Sequence, residues 1–277
     1  MIPPWARWGL WAGLGFLWLP VLLLVFYAFS ADPVPFRWGG FSLRWFAALG
    51  GDARLIEAAW LSLRVAAGAA SIAALLGGAI GWLLARGGAF RGRALLGSLA
   101  GAPLVLPEVV TGLSLLLLFV ALENAIGWPA GRGAGTVLLA HATLGAAYAA
   151  VVVQARLAQA APDLEDAAAD LGAGPVTVFR TVTLPLMLPA LAASWLLAFT
   201  LSLDDVVLAA FVSGPSGTTL PIVLFSMLRL GMTPAVNALA VLLLLTVAVV
   251  LVLVGLLSRR SVAHEGALPP RAPPPGN

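Results

Sequence analysis

Three carboxylic acids stand in stretches of the sequence that carry almost no other charge. Glu108 lies in the middle of the interval 94–122, and Asp204 and Asp205 end a long apolar run. A charged residue at the centre of a membrane helix costs roughly 2.5–3.5 kcal/mol, so such residues face a bundle interior or a wet cavity. Carboxylates in these positions can pair with a cation that crosses a membrane. The alternative is a structural acid, satisfied by Arg64 or by hydroxyl groups, or a cap at a helix end.

The composition of the whole chain is that of a membrane protein. Of the 277 residues, 61% are hydrophobic and 10% are charged, whereas an ordinary soluble domain is about 45–50% apolar and about 25% charged. A domain of this size still exposes about a quarter of the surface of its unfolded chain, so one core cannot hide the excess. A soluble enzyme, a disordered chain and a nucleic-acid-binding module therefore fit poorly. Cysteine is absent, which leaves no disulfide framework and no thiolate metal site.

Six intervals between charges are long enough to cross a bilayer, which takes about 20 mostly apolar residues. They predict an all-α, polytopic membrane protein with six transmembrane helices, at about 8–31, 60–86, 95–122, 134–157, 186–211 and 235–258. Residues 1–7 are predicted to be the N-terminus, and the Pro-rich residues 259–277 a disordered tail. The interval between Asp205 and Arg229 is interpreted as a helix end, a loop and a short amphipathic piece, because 213–219 and Pro221 would break a span.

The distribution of arginine along the sequence predicts the orientation of the chain in the membrane. An even number of spans puts both termini on one side of the membrane. With the N-terminus inside, nine arginines lie in inner loops and tails and six lie on the outer side. Because positive charge is retained in the cytoplasm, both termini are expected there and residues 32–56 are expected outside.

The inner loop between spans four and five, residues 159–185, contains a predicted short helix. Pro162 and Asp163 are typical of a helix start, and Gly172 of a helix end. Residues spaced at i, i+3, i+4 and i+7 give this helix one apolar face, formed by Leu164, Ala167, Ala168 and Leu171. The adjacent face is acidic, whereas helices that rest on a membrane usually carry Lys or Arg there. Docking into a groove of a soluble cytoplasmic partner is the better interpretation.

The same loop resembles the EAA loop of ATP-binding-cassette (ABC) importer permeases. The family's spacing is matched by Asp166-Ala167-Ala168, Gly172, Val182, Leu184 and Pro185. Asp166 replaces the usual Glu and Val182 the frequent Ile, and both keep charge or shape. In that family the loop is the coupling helix, which sits in a cleft of the ATPase subunit. The resemblance therefore implies that coupling to the ATPase involves Leu164, Glu165, Asp166, Ala167, Ala168, Leu171, Gly172, Leu184 and Pro185.

Three further segments resemble the polyamine (putrescine/spermidine) importer permeases, most of all the second permease subunit of putrescine importers. They are 41–46, 104–114 and 199–205 with 211–215. The resemblance implies a type I ABC importer permease fold in the bacterial inner membrane. It also implies a heterodimer with a homologous permease, two ATP-binding-cassette ATPase subunits and a periplasmic polyamine-binding protein. No cofactor and no nucleic-acid partner are implied.

The charges of the spans favour a cationic cargo. No Lys or Arg interrupts the middle of a span, whereas a diamine carries two ammonium groups at neutral pH, since such amines titrate near about 10. The chain has no lysine and no Gly-rich phosphate loop, so ATP hydrolysis is expected in a separate subunit and the chain is not expected to be an enzyme. The alternatives are the same role for ferric iron, thiamine or an inorganic anion, an autonomous channel or secondary transporter, and a membrane enzyme. The regular EAA spacing disfavours the last two classes.

Overall fold

The computed structural model describes residues 3–160, 163–230 and 234–265, of which 253–265 are described by their backbone alone. Within these ranges the chain is helical, with a single isolated β-bridge between Ser30 and Phe41. The described helices are α1 (Pro4–Ala28), α2 (Arg44–Gly50), α3 (Ala53–Arg86), α4 (Arg93–Val105), α5 (Glu108–Ile126), α6 (Ala134–Gln159), α7 (Asp163–Asp170), α8 (Pro175–Val178), α9 (Leu184–Asp204), α10 (Val207–Val212), α11 (Leu220–Leu230) and α12 (Pro234–Glu265). A π-helical turn, Phe179–Thr183, joins α8 to α9.

Six helical segments in the described chain are long and apolar enough to cross a membrane. They are Trp5–Ala28, Ala53–Arg86, Glu108–Ile126, Ala134–Gln159, Pro175–Asp204 and Pro234–Val252. This confirms the predicted all-α fold with six membrane helices. The interval between Asp205 and Arg229 holds two short helices and a loop instead of a seventh span, as its glycines and prolines indicate.

The predicted third span, 95–122, is two helices. α4 ends at Val105, Leu106 is extended with ψ 139°, and α5 begins at Glu108. Pro107 explains the interruption, because proline has no N–H to donate and disfavours the helical conformation of the residue before it. The interruption puts Glu108 at the start of a helix.

The predicted fifth span, 186–211, is also interrupted. α9 ends at Asp204, Asp205 is extended with ψ 126°, and α10 begins at Val207. The carboxylate of Asp205 accepts a hydrogen bond of 2.9 Å from the N–H of Leu208. Asp205 thereby satisfies an N–H at the start of α10, as helix caps do.

Other boundaries differ from the predicted ones. The second span begins at Ala53 and not near 60, because Asp52 accepts hydrogen bonds from the first N–H groups of α3. Residues 175–185, predicted as loop, are helical and continue into α9. α12 extends to Glu265, so 259–265 of the predicted disordered tail are helical, and the rest of that tail lies outside the described residues.

The centre of the bundle is built from α3, α6 and α9, where small residues let the helix backbones approach closely. A side chain at Gly145 of α6 would meet the Cβ atoms of Ala73 on α3 and Ala198 on α9, at 2.8 and 2.9 Å. At Gly77 of α3, a Cβ atom would collide with the carbonyl oxygen of Ala146. The three helices are therefore tightly joined, and they position the polar groups described next.

Candidate translocation path and coupling surface

The acids predicted to line a path lie at the two helix breaks, and the two breaks are neighbours. α5 packs against α10, and a Cβ atom at Gly112 of α5 would lie 2.8 Å from the Cδ2 atom of Phe211 on α10. Glu108 begins α5, and Asp204 and Asp205 lie just before the start of α10. Two segments about a hundred residues apart in sequence thus bring their acids into one region of the bundle.

Asp204 is the exposed member of the aspartate pair. Its side chain lines a cavity of about 460 Å³ between α9, α11 and α12. The rest of the lining is mostly apolar and includes Leu224, Phe225 and Val247. A carboxylate on the wall of an apolar cavity is an electrostatic site for a cation, because the surroundings screen it less than water does.

Asp205 is the enclosed member, with 9% of its side chain exposed. Both carboxylate oxygens accept from the N–H of Leu208, at 2.9 and 3.1 Å. Its Oδ2 atom lies 3.6 Å from Nε2 of His141, and Nδ1 of His141 lies 2.6 Å from Oγ of Ser202. From the sequence, His141 is interpreted as a hydrogen-bonded helix residue and not as a ligand, which its contact with Ser202 bears out; Ser202 is noted only as part of the segment that resembles the polyamine permeases. The helical spacing of Ser202 and Asp205, three residues apart, was the available signal that they share a face.

Arginine does not neutralise this cluster. Among the described residues, no arginine lies within 4 Å of a carboxylate oxygen of Glu108, Asp204 or Asp205. Arg64, the alternative partner considered from the sequence, lies over the ring of Trp60, 5.7 Å from its centroid. Among the described residues, no hydroxyl group donates to Asp204 or Glu108; the hydroxyls of Thr111 and Thr200, one turn away in sequence, donate to the carbonyls of Pro107 and Leu196.

The predicted coupling helix is α7, and its end is the expected one. Gly172 has φ +87°, the left-handed conformation that glycine adopts at helix ends. The N–H of Ala173 donates to the carbonyl of Ala168 at 3.1 Å, and the N–H of Gly172 donates to that of Ala169 at 2.9 Å. These bonds close the helix and turn the chain toward α8.

The faces of α7 differ from the predicted arrangement in one respect. Leu164 and Leu171 are 52% and 90% exposed, and Ala167 is exposed beside them. Ala168, predicted to belong to the same face, is half-buried against the rest of the chain. The acidic Asp166 is exposed. Of the predicted apolar face, Leu164, Ala167 and Leu171 are therefore exposed, and we call these three residues the docking stripe.

Glu165 faces inward and ties α7 to two membrane helices. Its Oε2 atom lies 3.1 Å from Nε of Arg86, at the end of α3. Its Oε1 atom accepts a hydrogen bond of 2.8 Å from Thr183, at the entrance to α9. Arg86 also donates to the carbonyl of Ala160, at 3.1 Å. Sequence reasoning did not identify Arg86 or Thr183, because contacts between distant segments leave no local pattern.

Leu184 and Pro185, the last predicted coupling residues, lie in the first turn of α9 and are half-buried. They are not part of the exposed surface of α7. The helix is continuous through the π-helical turn into α9, and Pro185, which has no N–H to donate, lies where that turn returns to α-helical geometry.

Solved structures of bacterial ABC transporters share the fold of this chain. A bacterial ABC transporter involved in the import of the acidic polysaccharide alginate matches with a TM-score of 0.71 at 15% identity, over 92% of this chain and 96% of that chain. The MetNI methionine ABC transporter, in inward-facing conformations, matches with a TM-score of 0.62 at 19% identity, over 75% and 95%. At these identities the likeness shows the fold, which is that of an ABC importer permease.

The sequence of the chain defines the family. Residues 77–262 match the binding-protein-dependent transport system inner membrane component family, and the chain belongs to it. It is 51% identical over 247 residues to the putrescine transport system permease protein PotI of Escherichia coli (strain K12), covering 89% of this chain and 88% of that protein. It is 37% identical over 246 residues to the spermidine/putrescine transport system permease protein PotC of Haemophilus influenzae, covering 89% and 93%. The predicted ABC permease class and the multi-pass inner-membrane location are confirmed.

Proposed function

We propose that this chain is the permease subunit of an ATP-driven polyamine importer and forms half of the translocation path for putrescine or spermidine. The observation that carries the proposal is the packing of α5 against α10, which puts Glu108, Asp204 and Asp205 at two adjacent helix breaks; among the described residues, no arginine lies within 4 Å of their carboxylates. The printed names of the relatives, which are permeases of putrescine and spermidine/putrescine systems, support the same cargo.

The acids suit a diamine for electrostatic reasons. Each ammonium group of putrescine stays charged at neutral pH, because such amines titrate near about 10. Inside the membrane an unpaired ammonium is costly, so Glu108 and at least one aspartate are proposed to pair with it in transit. α9 ends beside Asp204, and the free carbonyls of a helix end add negative potential at that point. The pairing must remain weak enough to release the cargo.

The energy of ATP hydrolysis is proposed to reach the membrane helices through α7. The docking stripe would sit in a cleft of an ATPase subunit, and the inward contacts of Glu165 would carry the movement of α7 into the bundle. The complete transporter would contain a homologous permease, two ATPase subunits and a periplasmic polyamine-binding protein. Both termini would lie in the cytoplasm, with ATP hydrolysis confined to the partner subunits.

The experiment uses the complete complex in proteoliposomes with ATP inside. We expect accumulation of labelled putrescine that needs both ATP and the polyamine-binding protein, and no accumulation of labelled sulfate under the same conditions. If thiamine, ferric iron or sulfate accumulates and putrescine does not, the chain is the permease for a different cargo. Accumulation without the ATPase subunits would instead indicate a channel or secondary transporter.

A further inference from the structure

We infer that the two adjacent aspartates have different tasks. His141 and Ser202 are positioning residues that hold Asp205 at the break between α9 and α10, whereas Asp204 and Glu108 meet the substrate. The inference rests on the proposed function, which names the pathway acids without separating Asp204 from Asp205.

The contacts of Asp205 are those of a structural acid. Its oxygens already accept from the backbone N–H of Leu208, and its side chain is 9% exposed. The cavity between α9, α11 and α12 is lined by Asp204, and Asp205 is not among its lining residues. A carboxylate that is enclosed in this way presents little of its surface to a passing ammonium group, although its oxygens could accept further hydrogen bonds.

His141 completes the enclosure of Asp205 from α6. The side chain of His141 is 2% exposed, so its ring has no alternative partner in bulk water. If Ser202 donates its hydroxyl hydrogen to Nδ1 across 2.6 Å, the ring proton is on Nε2 and points toward Asp205. The 3.6 Å between Nε2 and Oδ2 is longer than a hydrogen bond, so this contact is electrostatic.

The imidazole ring of His141 is also attached to a tightly packed part of α6. His141 stands one helical turn before Gly145, where the backbones of α6, α3 and α9 meet through the Cβ atoms of Ala73 and Ala198. Residues four apart share a helix face, so His141 and Gly145 both point toward α9. Ser202 and Asp205 lie one turn apart on that helix and its extended end. The ring therefore has a fixed place beside Asp205 and limits where that carboxylate can lie.

Asp204 has the opposite surroundings. Its side chain is exposed, lines the apolar cavity and makes no side-chain hydrogen bond or ion pair among the described residues. Because Asp204 and Asp205 are consecutive, fixing Asp205 also fixes where the carboxylate of Asp204 enters the cavity. Loss of His141 or Ser202 should therefore impair binding through misplacement of Asp204, with the acid itself still present.

The first test is a kinetic comparison in the reconstituted complex, with putrescine as the cargo. Asp204→Asn should raise KM for putrescine at least tenfold, and Ser202→Ala and His141→Gln should raise it by about three- to tenfold, which is the lower part of the range of coupling between contacting residues. His141→Gln combined with Asp205→Asn should have no larger effect than the stronger single change, because both act through one contact. Ser194→Ala is the matched control, since Ser194 is also buried on α9 but bonds to Ala190 of its own helix.

The second test does not depend on the cargo. The chain has no cysteine, so a single cysteine at 204 or 205 reports local access in the assembled complex. Asp204→Cys should react with a small cationic thiol reagent at least tenfold faster than Asp205→Cys, and Ser202→Ala should lower this ratio. If putrescine is not the cargo, the kinetic test fails and the thiol ratio persists. Equal reactivity at the two positions, or additive effects of His141→Gln and Asp205→Asn, would overturn the inference.

Discussion

Arg86 and Glu165 join the short helix α7 to the membrane bundle, with 3.1 Å between Nε and Oε2. Their side chains are 14% and 17% exposed, so this ion pair is largely withdrawn from water. The second oxygen of Glu165 accepts from Thr183 at the entrance to α9. α9 ends at Asp204. A displacement of α7 therefore has a continuous mechanical route, through one carboxylate and one helix, to the acids at the break.

The ion pair should matter more for coupling than for assembly. Arg86→Gln leaves Glu165 without its charged partner, which costs about 1–3 kcal/mol for a buried group. We expect putrescine uptake per ATP hydrolysed to fall severalfold, with near-normal amounts of complex. Exchanging the charges, as Arg86→Glu with Glu165→Arg, should restore part of this ratio. If each single variant keeps the wild-type ratio of uptake to hydrolysis, the pair has no part in coupling.

Gly172 should be replaceable by asparagine but not by leucine. Its φ of +87° costs a side-chain-bearing residue roughly 1–2 kcal/mol, and asparagine tolerates this region better than leucine does. A Cβ atom there meets nothing within 4 Å, so backbone strain is the relevant difference. Gly172→Leu should reduce ATP-driven uptake strongly and Gly172→Asn only slightly. Equal uptake for the two variants would show that the turn after α7 is not needed in this conformation.

A bulky charged side chain in the docking stripe should weaken binding of the ATPase subunit. Ala167 is exposed between Leu164 and Leu171, so Ala167→Arg should obstruct a groove of the ATPase and lower the amount of ATPase that copurifies. Ala48→Arg, an equally exposed position on α2, serves as the control and should retain it. Ala168 is a poorer test position because it is half-buried against its own chain. Full ATPase recovery with Ala167→Arg would place the docking surface elsewhere.

The orientation of the chain can be tested with single cysteines. Gly50 is exposed at the end of α2, and a Cβ atom there meets nothing within 4 Å. Gly50→Cys should react with a membrane-impermeant thiol reagent added outside, whereas Ser261→Cys should react only after the membrane is permeabilised. The chain without cysteine is the blank. External labelling at 261 combined with protection at 50 would reverse the predicted topology.

The fold and the individual acids were predictable because they are local features of the sequence. A membrane helix is a run of apolar residues, and Glu108 is conspicuous inside such a run. The helix end at Gly172 was predictable for the same reason, because a glycine that follows an amphipathic segment is a typical signal for the end of a helix. These features need no knowledge of how helices pack.

Relationships between distant segments were not predictable in the same way. The approach of Glu108 to Asp204 depends on α5 packing against α10, and the inward turn of Glu165 depends on Arg86 lying opposite it. Pro103 and Pro107 predicted a break or a kink in the third span, but not which proline would end the helix: Pro103 lies inside α4, whereas α4 ends just before Pro107. Proline in a membrane helix permits a break, and packing decides where it occurs.

The central claim is that carboxylates at the helix breaks pair with the ammonium groups of the cargo. Glu108→Gln and Asp204→Asn remove the charge and keep nearly the same size, and Asp205→Asn completes the set. Glu123→Gln is the matched control on α5, because an amide oxygen can still accept from the N–H of Gly131, as Glu123 does at 3.0 Å.

Putrescine uptake per assembled complex is the measurement that tests this claim most directly. We predict at least a tenfold loss for Glu108→Gln and for Asp204→Asn, since a charge-assisted hydrogen bond contributes about 1.5–3 kcal/mol. Membrane insertion should stay normal or improve, and Glu123→Gln should transport like the wild type. Undiminished uptake per complex in the Glu108, Asp204 and Asp205 variants alike would contradict both the pathway and the cationic cargo.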